Sequence, residues 1–277
     1  MATRTADIRG LEALAKGLRI TDMEMLIEAG SGHPGGTLSI AEMVSVLFFH
    51  TLRLKPDEPD WPGRDRFILS KGHCIPIVYA AMSKLGFFPE EELMTLRKMG
   101  SRLQGHPDRR MLPGIEASTG SLGQGLSVAV GMAVAGRLDR ADRRVYCLMG
   151  DGEQQSGHIW EAAMLAPALG LDNLCAILDQ NQVQQTGKVA ERLPIEPIGE
   201  KWDAFGWNVL EIDGHSIAEI AAAFDAADSY DDGPTIIVSH TIKGKGVSFM
   251  ELSSSWHGKA PSGEDADRAL AELRGAS

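Results

Sequence analysis

The chain has 277 residues, 43% of them hydrophobic, and a net charge of −11 at neutral pH. This acidity argues against nucleic acid and anionic membranes as partners, because both bind proteins through basic surfaces. No apolar run approaches the ~20 residues of a membrane span, and the N-terminus contains no apolar signal core.

Hydrophobic periodicity predicts a helical first half with one short strand at 66–70. The Gly- and Pro-rich stretch 100–120 predicts a loop, and Ser39 is predicted to cap the second helix. The predicted helices cover residues 7–28, 40–52, 77–85, 89–98 and 124–137.

In the second half, short apolar strands alternate with helices. A loop at 183–198 separates the first two strands from the rest. This alternation predicts an α/β fold in which a parallel sheet has helices on both faces. We expect one domain over 1–277, with a flexible polar tail from about residue 262. The predicted strands are 144–149, 174–178, 207–212 and 235–239; the predicted helices are 157–165, with Ile159, Ala162, Ala163 and Leu165 as its apolar face, and 217–227.

The most informative stretch is Gly150-Asp151-Gly152, together with Asn181 one strand–helix–strand unit later. Asp151 and Asn181 each follow the end of a predicted strand, where parallel sheets bind ligands. A carboxylate, an amide oxygen and nearby backbone carbonyls suit Mg²⁺ or Ca²⁺ shared with a phosphate-bearing ligand. Gly150 and Gly152 permit a sharp turn and close approach of a diphosphate, which the N-terminus of the following helix attracts. An ordinary strand–turn–helix is the alternative interpretation of the short motif.

Four of the eight histidines lie beside glycines in predicted loops: His33, His73, His106 and His257. Loop imidazoles in a wet cleft can bind phosphate, hold substrate hydroxyls or shuttle protons. A single such histidine is more often a surface or structural residue, but four that could converge favour a functional site. None has the spacing of a zinc site.

Several blocks, in order, resemble the transketolase family across nearly the whole chain. The longest is GDGEQQSGHIWEAAMLAPALGLDNLCAILDQNQ, which is similar to the thiamine diphosphate motif of that family. The others are SGHPGG (31–36), LSKGH (69–73), QGHP (104–107), ASTGSLGQGLSVAVGMA (117–133), DGH (213–215), TIKGKGVSFME (241–251) and WHGKAP (256–261).

The resemblance implies roles for individual residues. Asp151, Asn181 and the Val183 carbonyl would bind the metal, and the Gly152 N–H would face the diphosphate. His73 and His257 would contact the cofactor or the reacting centre, whereas His33 and His106 would hold substrate hydroxyls and assist proton transfer. Gly120 and Leu122 would line the cofactor, with core packing as the alternative for Leu122. His215 would be structural.

The resemblance also implies a partner. It covers the N-terminal third to half of a transketolase, without the pyrimidine-binding domain whose glutamate activates the cofactor. We therefore expect the N-terminal subunit of a split transketolase, which forms a heterotetramer with a C-terminal subunit. Its substrates would be sugars or sugar phosphates. Ser156 replaces a glutamate that many family members use to link paired active sites, so that linkage is in doubt here. Glu161 matches a second family acid, with a surface role as its alternative.

Two other functions stay open on the sequence alone. One is a thiamine-dependent acyloin or acyl transfer in a specialised pathway, and the other is a non-catalytic partner that stabilises or regulates another chain. The three cysteines lack metal-type spacing and predict buried thiols in a reducing cytoplasm.

Overall fold

The computed structural model describes residues 7–275 and contains a five-stranded, fully parallel sheet. The strand order is β1-β2-β3-β7-β6, and the fold prediction is confirmed. A separate antiparallel hairpin follows β3. The strands are β1 (Arg66–Leu69), β2 (Val145–Gly150), β3 (Leu174–Gln180), β4 (Val183–Gln184), β5 (Gly187–Lys188), β6 (Asn208–Asp213) and β7 (Thr235–His240).

Helices cover both faces of the sheet, as predicted. Short 3-10 turns at Gly72–Cys74, Glu90–Thr95, Gly152–Gln155 and Ser254–Trp256 interrupt the loops. None of the helices within residues 7–275 is long and apolar enough to cross a membrane. The α-helices are α1 (Ile8–Ala29), α2 (Pro34–Leu38), α3 (Ala41–Val46), α4 (Ile75–Leu85), α5 (Gly125–Leu138), α6 (Gly157–Ala168), α7 (Val189–Arg192), α8 (Ile198–Ala204), α9 (Ile217–Ser229) and α10 (Glu264–Arg274).

Alternation along the central strands divides the core into two layers. Tyr146 and Leu148 of β2 pack with α1, α3, α4 and α9, whereas Cys147 and Met149 pack with α5, α6 and α8. Successive side chains of a strand point to opposite faces, so a strand covered on both faces reads as a continuous apolar run. The in-register pairing of Gly150 with Asp179 places the carboxyl ends of β2 and β3 side by side.

Three local predictions were wrong. The helix predicted at 40–52 is α3 followed by a π-helical turn, Leu47–Thr51, and Ser39 does not cap it. The Ser39 hydroxyl instead lies 2.9 Å from Asp179 Oδ2. The helix predicted at 89–98 is only the 3-10 turn Glu90–Thr95. In α6 the buried positions are Ile159, Ala162, Ala163 and Ala166, while Leu165 is exposed.

The flexible tail expected from about residue 262 is also wrong over residues 264–274, because this segment forms α10. Its buried residues Ala266, Ala269 and Leu273 recur at the spacing of one helical face. Ala269 and Leu273 join a cluster with Met23 and Trp256, so the helix is held by apolar packing although most of its residues are polar.

We expect Leu273→Ala to lower the free energy of unfolding by ~2–3 kcal/mol, because it leaves a cavity where α10 meets α1. Leu138→Ala is the matched control, since Leu138 is 79% exposed, and should change stability by less than ~0.5 kcal/mol. Urea denaturation of both variants gives the comparison. Equal stabilities of the two would show that α10 does not contribute to the core.

Candidate functional site

The predicted ligand residues meet at the carboxyl ends of β2 and β3. Asp151 is 3% exposed; its Oδ1 accepts the Gly152 N–H at 2.7 Å, and its Oδ2 accepts the Gln182 N–H at 2.5 Å. Asp151 therefore ties the end of one strand to the chain that leaves the next, and this backbone support fixes the direction of its carboxylate.

Asn181 is held in one orientation by its neighbours. Its Nδ2 donates to Asp179 Oδ2 at 2.6 Å, and its Oδ1 accepts the Val183 N–H at 3.2 Å. The Val183 carbonyl accepts a hydrogen bond from Lys243 Nζ at 2.9 Å. The amide oxygen, the carbonyl and the Asp151 carboxylate are hard oxygen donors of the kind that Mg²⁺ or Ca²⁺ binds.

The electrostatics at this edge of the sheet favour a cation. Burial, and then the charge of Asp179, raise the pKa of Asp151 to about 6. Burial likewise lowers the pKa of Lys243 below its ordinary value. Only one carboxylate belongs to the oxygen set, so a divalent ion here would take further ligands from an anionic ligand such as a diphosphate.

The four loop histidines converge, as the sequence predicted they could. The centroid of the His33 ring lies 5.0 Å from that of His73, 5.6 Å from that of His257 and 6.2 Å from that of His106. The rings of His73 and His257 are 5.3 Å apart. His33 is thus the centre of the group, and His106 extends it toward solvent.

These imidazoles are neutral at neutral pH. Burial, reinforced by nearby positive charge, lowers the pKa of His33 to about 4, that of His257 to about 3, and that of His73 well below its ordinary value. The Nδ1 atoms of His33 and His257 are buried without a hydrogen-bond partner among residues 7–275. Buried polar atoms are rarely left unpaired, which indicates ligand-binding groups.

A cavity of about 290 Å³ joins the two halves of the site. It lies between the carboxyl ends of the strands and the histidines, and its lining includes both oxygen donors and imidazoles. The predicted residues that line it are His73, Leu122, Gly150, Asp151, Gly152, Asn181, Val183 and His257. His33, His106 and Gly120 lie outside it.

Close approach explains the glycine at 120. Gly120 has φ of 148°, and a Cβ there would lie 2.9 Å from His106 Cδ2, so the loop before α5 touches that imidazole. The Gly152 N–H, expected to face a diphosphate, donates instead to Asp151. The turn directly after Asp151 is 3-10, and α6 begins only at Gly157.

Sequence reasoning missed four charged residues. Lys71 and Lys243 line the cavity beside the predicted residues, and both stood in the quoted blocks LSKGH and TIKGKGVSFME. Lys71 Nζ lies 2.6 Å from Asp179 Oδ2, and both side chains are buried. A lysine directly before the Gly-His pair at a strand end was the available signal, but the position of Asp179 within β3 suggested only core.

Glu153 is the fourth missed residue. Its buried carboxylate accepts the Gly123 N–H at 2.8 Å, the Gly150 N–H at 3.1 Å and the Ser70 hydroxyl. It therefore connects the loop before α5 to the turn after β2 and to the end of β1. Ser156, at the family glutamate position, lies directly against Gly123.

Comparisons with known proteins agree with this geometry. A family model described as transketolase, thiamine diphosphate binding domain, matches residues 11–275. One of the two subunits of apulose-4-phosphate transketolase from Phocaeicola vulgatus is 44% identical over 251 residues, 91% of this chain and 89% of that protein. The 6-deoxy-6-sulfo-D-fructose transketolase subunit SqwG of a Clostridium species is 44% identical over 263 residues, 95% of this chain and 96% of that protein.

Longer transketolases match over less than half of their length. Human transketolase is 43% identical over 267 residues, which are 96% of this chain and 42% of the human protein. The crystal structure of transketolase from Campylobacter jejuni superposes with a TM-score of 0.90 at 34% identity, covering 98% of this chain and 43% of that chain. The chain thus spans about two-fifths of these longer relatives.

The buried Lys71–Asp179 pair should dominate stability near the site. Asp179→Asn leaves the Lys71 charge without its counter-charge, so we expect the free energy of unfolding to fall by ~3–5 kcal/mol at pH 7. The double variant Lys71→Met/Asp179→Asn should recover part of this loss. Chemical denaturation measures both.

The exposed pair Lys98–Glu28 is the control, and Glu28→Gln should cost less than ~1 kcal/mol. Burial alone would raise the pKa of Asp179, but Lys71 and hydrogen bonds from Thr241 and Asn181 hold it below its ordinary value. The contribution is therefore present above the unfolded pKa of ~3.9 and lost as the pH falls further. Similar losses for both pairs would contradict a dominant buried pair.

Proposed function

Because the chain belongs to the transketolase family, we propose that it is the thiamine diphosphate-binding subunit of a two-chain transketolase. The enzyme transfers a two-carbon ketol unit from a ketose or ketose phosphate to an aldose or aldose phosphate. A separate C-terminal subunit supplies the pyrimidine-binding domain, and the two form a heterotetramer. Three buried free cysteines support placing the reaction in a reducing cytoplasm.

The main support is the pattern of coverage among the relatives. The chain covers 89% and 96% of two proteins named as transketolase subunits, but 42% of human transketolase. The site supports the same proposal, because the cavity residues and the histidine group contain no carboxylate outside the strand ends that could face a cofactor ring. A second chain would complete that side.

Exposed apolar side chains beside the cavity also support a partner. Val128 of α5 and Met164 and Leu165 of α6 are 38%, 53% and 48% exposed, on two helices that pack together in the same core layer. Leu122, which lines the cavity, is 45% exposed. Apolar side chains grouped in this way on a surface are typical of protein interfaces.

The residues fit thiamine diphosphate with a divalent ion. Asp151, Asn181 and the Val183 carbonyl would hold Mg²⁺ or Ca²⁺, and Lys71 and Lys243 add positive charge on the same cavity wall. When bound, thiamine diphosphate supplies the carbanion chemistry of ketol transfer.

The histidines are suited to the sugar. Neutral imidazoles both donate and accept hydrogen bonds, so His33 and His106 can hold substrate hydroxyls. His73 and His257, which line the cavity wall, contact the cofactor or the reacting centre. Low pKa values keep these groups uncharged in the resting site, ready to exchange protons with the substrate only as charge develops on it.

Asp151→Ala should remove metal-dependent cofactor binding, because it deletes the one charged ligand of the divalent ion. Calorimetric titration of thiamine diphosphate into the complex with its partner, with Mg²⁺ and with EDTA, measures this. Asp231→Ala, at an exposed position, is the control and should bind as the wild type does. Unchanged affinity in Asp151→Ala would mean that the metal assignment is wrong.

The purified chain alone should show no ketol transfer, and activity should appear when the C-terminal subunit is added. A coupled assay with hydroxypyruvate as donor and glycolaldehyde as acceptor measures the transfer. Activity of the chain alone would refute the two-chain proposal. Cofactor binding by the complex without any transfer would instead favour a non-catalytic role.

A further inference from the structure

Arg97 stands out among the residues around the histidines. It follows the 3-10 turn Glu90–Thr95 and has φ of 61°, in the left-handed region that non-glycine residues seldom adopt. Its backbone N–H donates to the Leu103 carbonyl at 2.9 Å, which holds this conformation. Strained residues that the surrounding structure fixes in place are concentrated at functional sites.

The guanidinium of Arg97 is only partly paired. Nη1 donates to Ser31 Oγ at 3.3 Å, whereas Nε is buried without a hydrogen-bond partner among residues 7–275. Over the same residues, Arg97 makes no salt bridge with a carboxylate. The nearby Arg102, by contrast, pairs with Glu92 at 2.6 Å. Arg97 thus has donor capacity that the protein does not use.

Gly105 gives the guanidinium its place. A Cβ at Gly105 would lie 2.5 Å from Arg97 Nε and 2.7 Å from both Cζ and Nη2. Gly105 does not have a positive φ, so its own backbone does not require glycine there. The space for Arg97 is the physical reason for a glycine directly before His106.

Arg97 lies at the outer end of the histidine group. Burial decreases from Asp151, through His73 and His33, to the exposed His106. After burial, Arg97 is the largest charge that lowers the pKa of both His33 and His106. The guanidinium is therefore close to the two imidazoles assigned to substrate hydroxyls, on the side away from the diphosphate anchor.

We propose that Arg97 is a substrate-binding residue, whose guanidinium donates hydrogen bonds to an oxygen of the acceptor sugar beside His33 and His106. The oxygen belongs to a hydroxyl or to the phosphate of an aldose phosphate, since both accept from a guanidinium. This inference rests on the ketol transfer proposed above. A two-carbon acceptor is too short to reach from the reacting centre to Arg97.

The test uses the reconstituted complex with hydroxypyruvate as donor and glycolaldehyde, D-ribose or D-ribose 5-phosphate as acceptor. Arg97→Gln removes the guanidinium, and Gly105→Ala displaces it while leaving the residue in place. We expect both to raise KM for D-ribose 5-phosphate on the order of tenfold or more, with kcat and KM for glycolaldehyde within about twofold. Arg102→Gln is the matched control and should leave all three acceptors unchanged.

A larger KM for D-ribose 5-phosphate alone assigns the contact to the phosphate, and equal increases for both pentoses assign it to a hydroxyl. Unchanged KM values in an active complex, or equal losses on all three acceptors, would overturn the inference and leave the proposed function intact. A wild-type complex that is inactive on every acceptor would overturn both. A Gly105→Ala enzyme that behaves as the wild type while Arg97→Gln does not would show that the seating is wrong.

Discussion

The site depends on one buried ion pair, Lys71 with Asp179. Lys71 Nζ also donates to the Gly36 carbonyl at 3.0 Å, and Asp179 accepts from Thr241 at 2.5 Å as well as from Asn181. Segments far apart in sequence therefore meet on two side chains. Burying two charges costs more than their attraction returns unless every remaining donor and acceptor is satisfied. That requirement makes the pair a fastener with one allowed geometry.

This geometry sets the charge of the site. Asp151, Glu153 and Asp179 bring three carboxylates to the strand ends, against Lys71 and Lys243. A divalent ion with a diphosphate can then be held locally in a chain whose net charge of −11 would repel an anion at long range. Because the lysines are buried, their fields are weakly screened by salt. The fold thus separates the attraction of the site from the repulsion of the surface.

The sequence predicted the parts of the fold whose pattern is local. Strand ends could be located from apolar runs, so Asp151 and Asn181 were found, and histidines beside glycines indicated a cluster. Lys71 and Asp179 are 108 residues apart, and no periodicity connects them, so the pair appears only once β1 and β3 lie in one sheet. α10 was missed for a different reason: its few buried residues are mostly alanines, which give a weak apolar pattern in a polar segment.

The same positive charges act on both halves of the site. Lys243 and Arg97 lower the pKa of His33, and Lys243 and Lys71 lower that of His257, each after the larger effect of burial. A field that opposes protonation of an imidazole also favours negative charge on whatever the imidazole contacts. Neutral histidines in a positive field can therefore donate hydrogen bonds to a sugar oxygen as it becomes negative, without first repelling a cationic neighbour. Covering the open side with a second chain would remove water and strengthen both effects, so this half-site is already polarised toward the reaction that its partner completes.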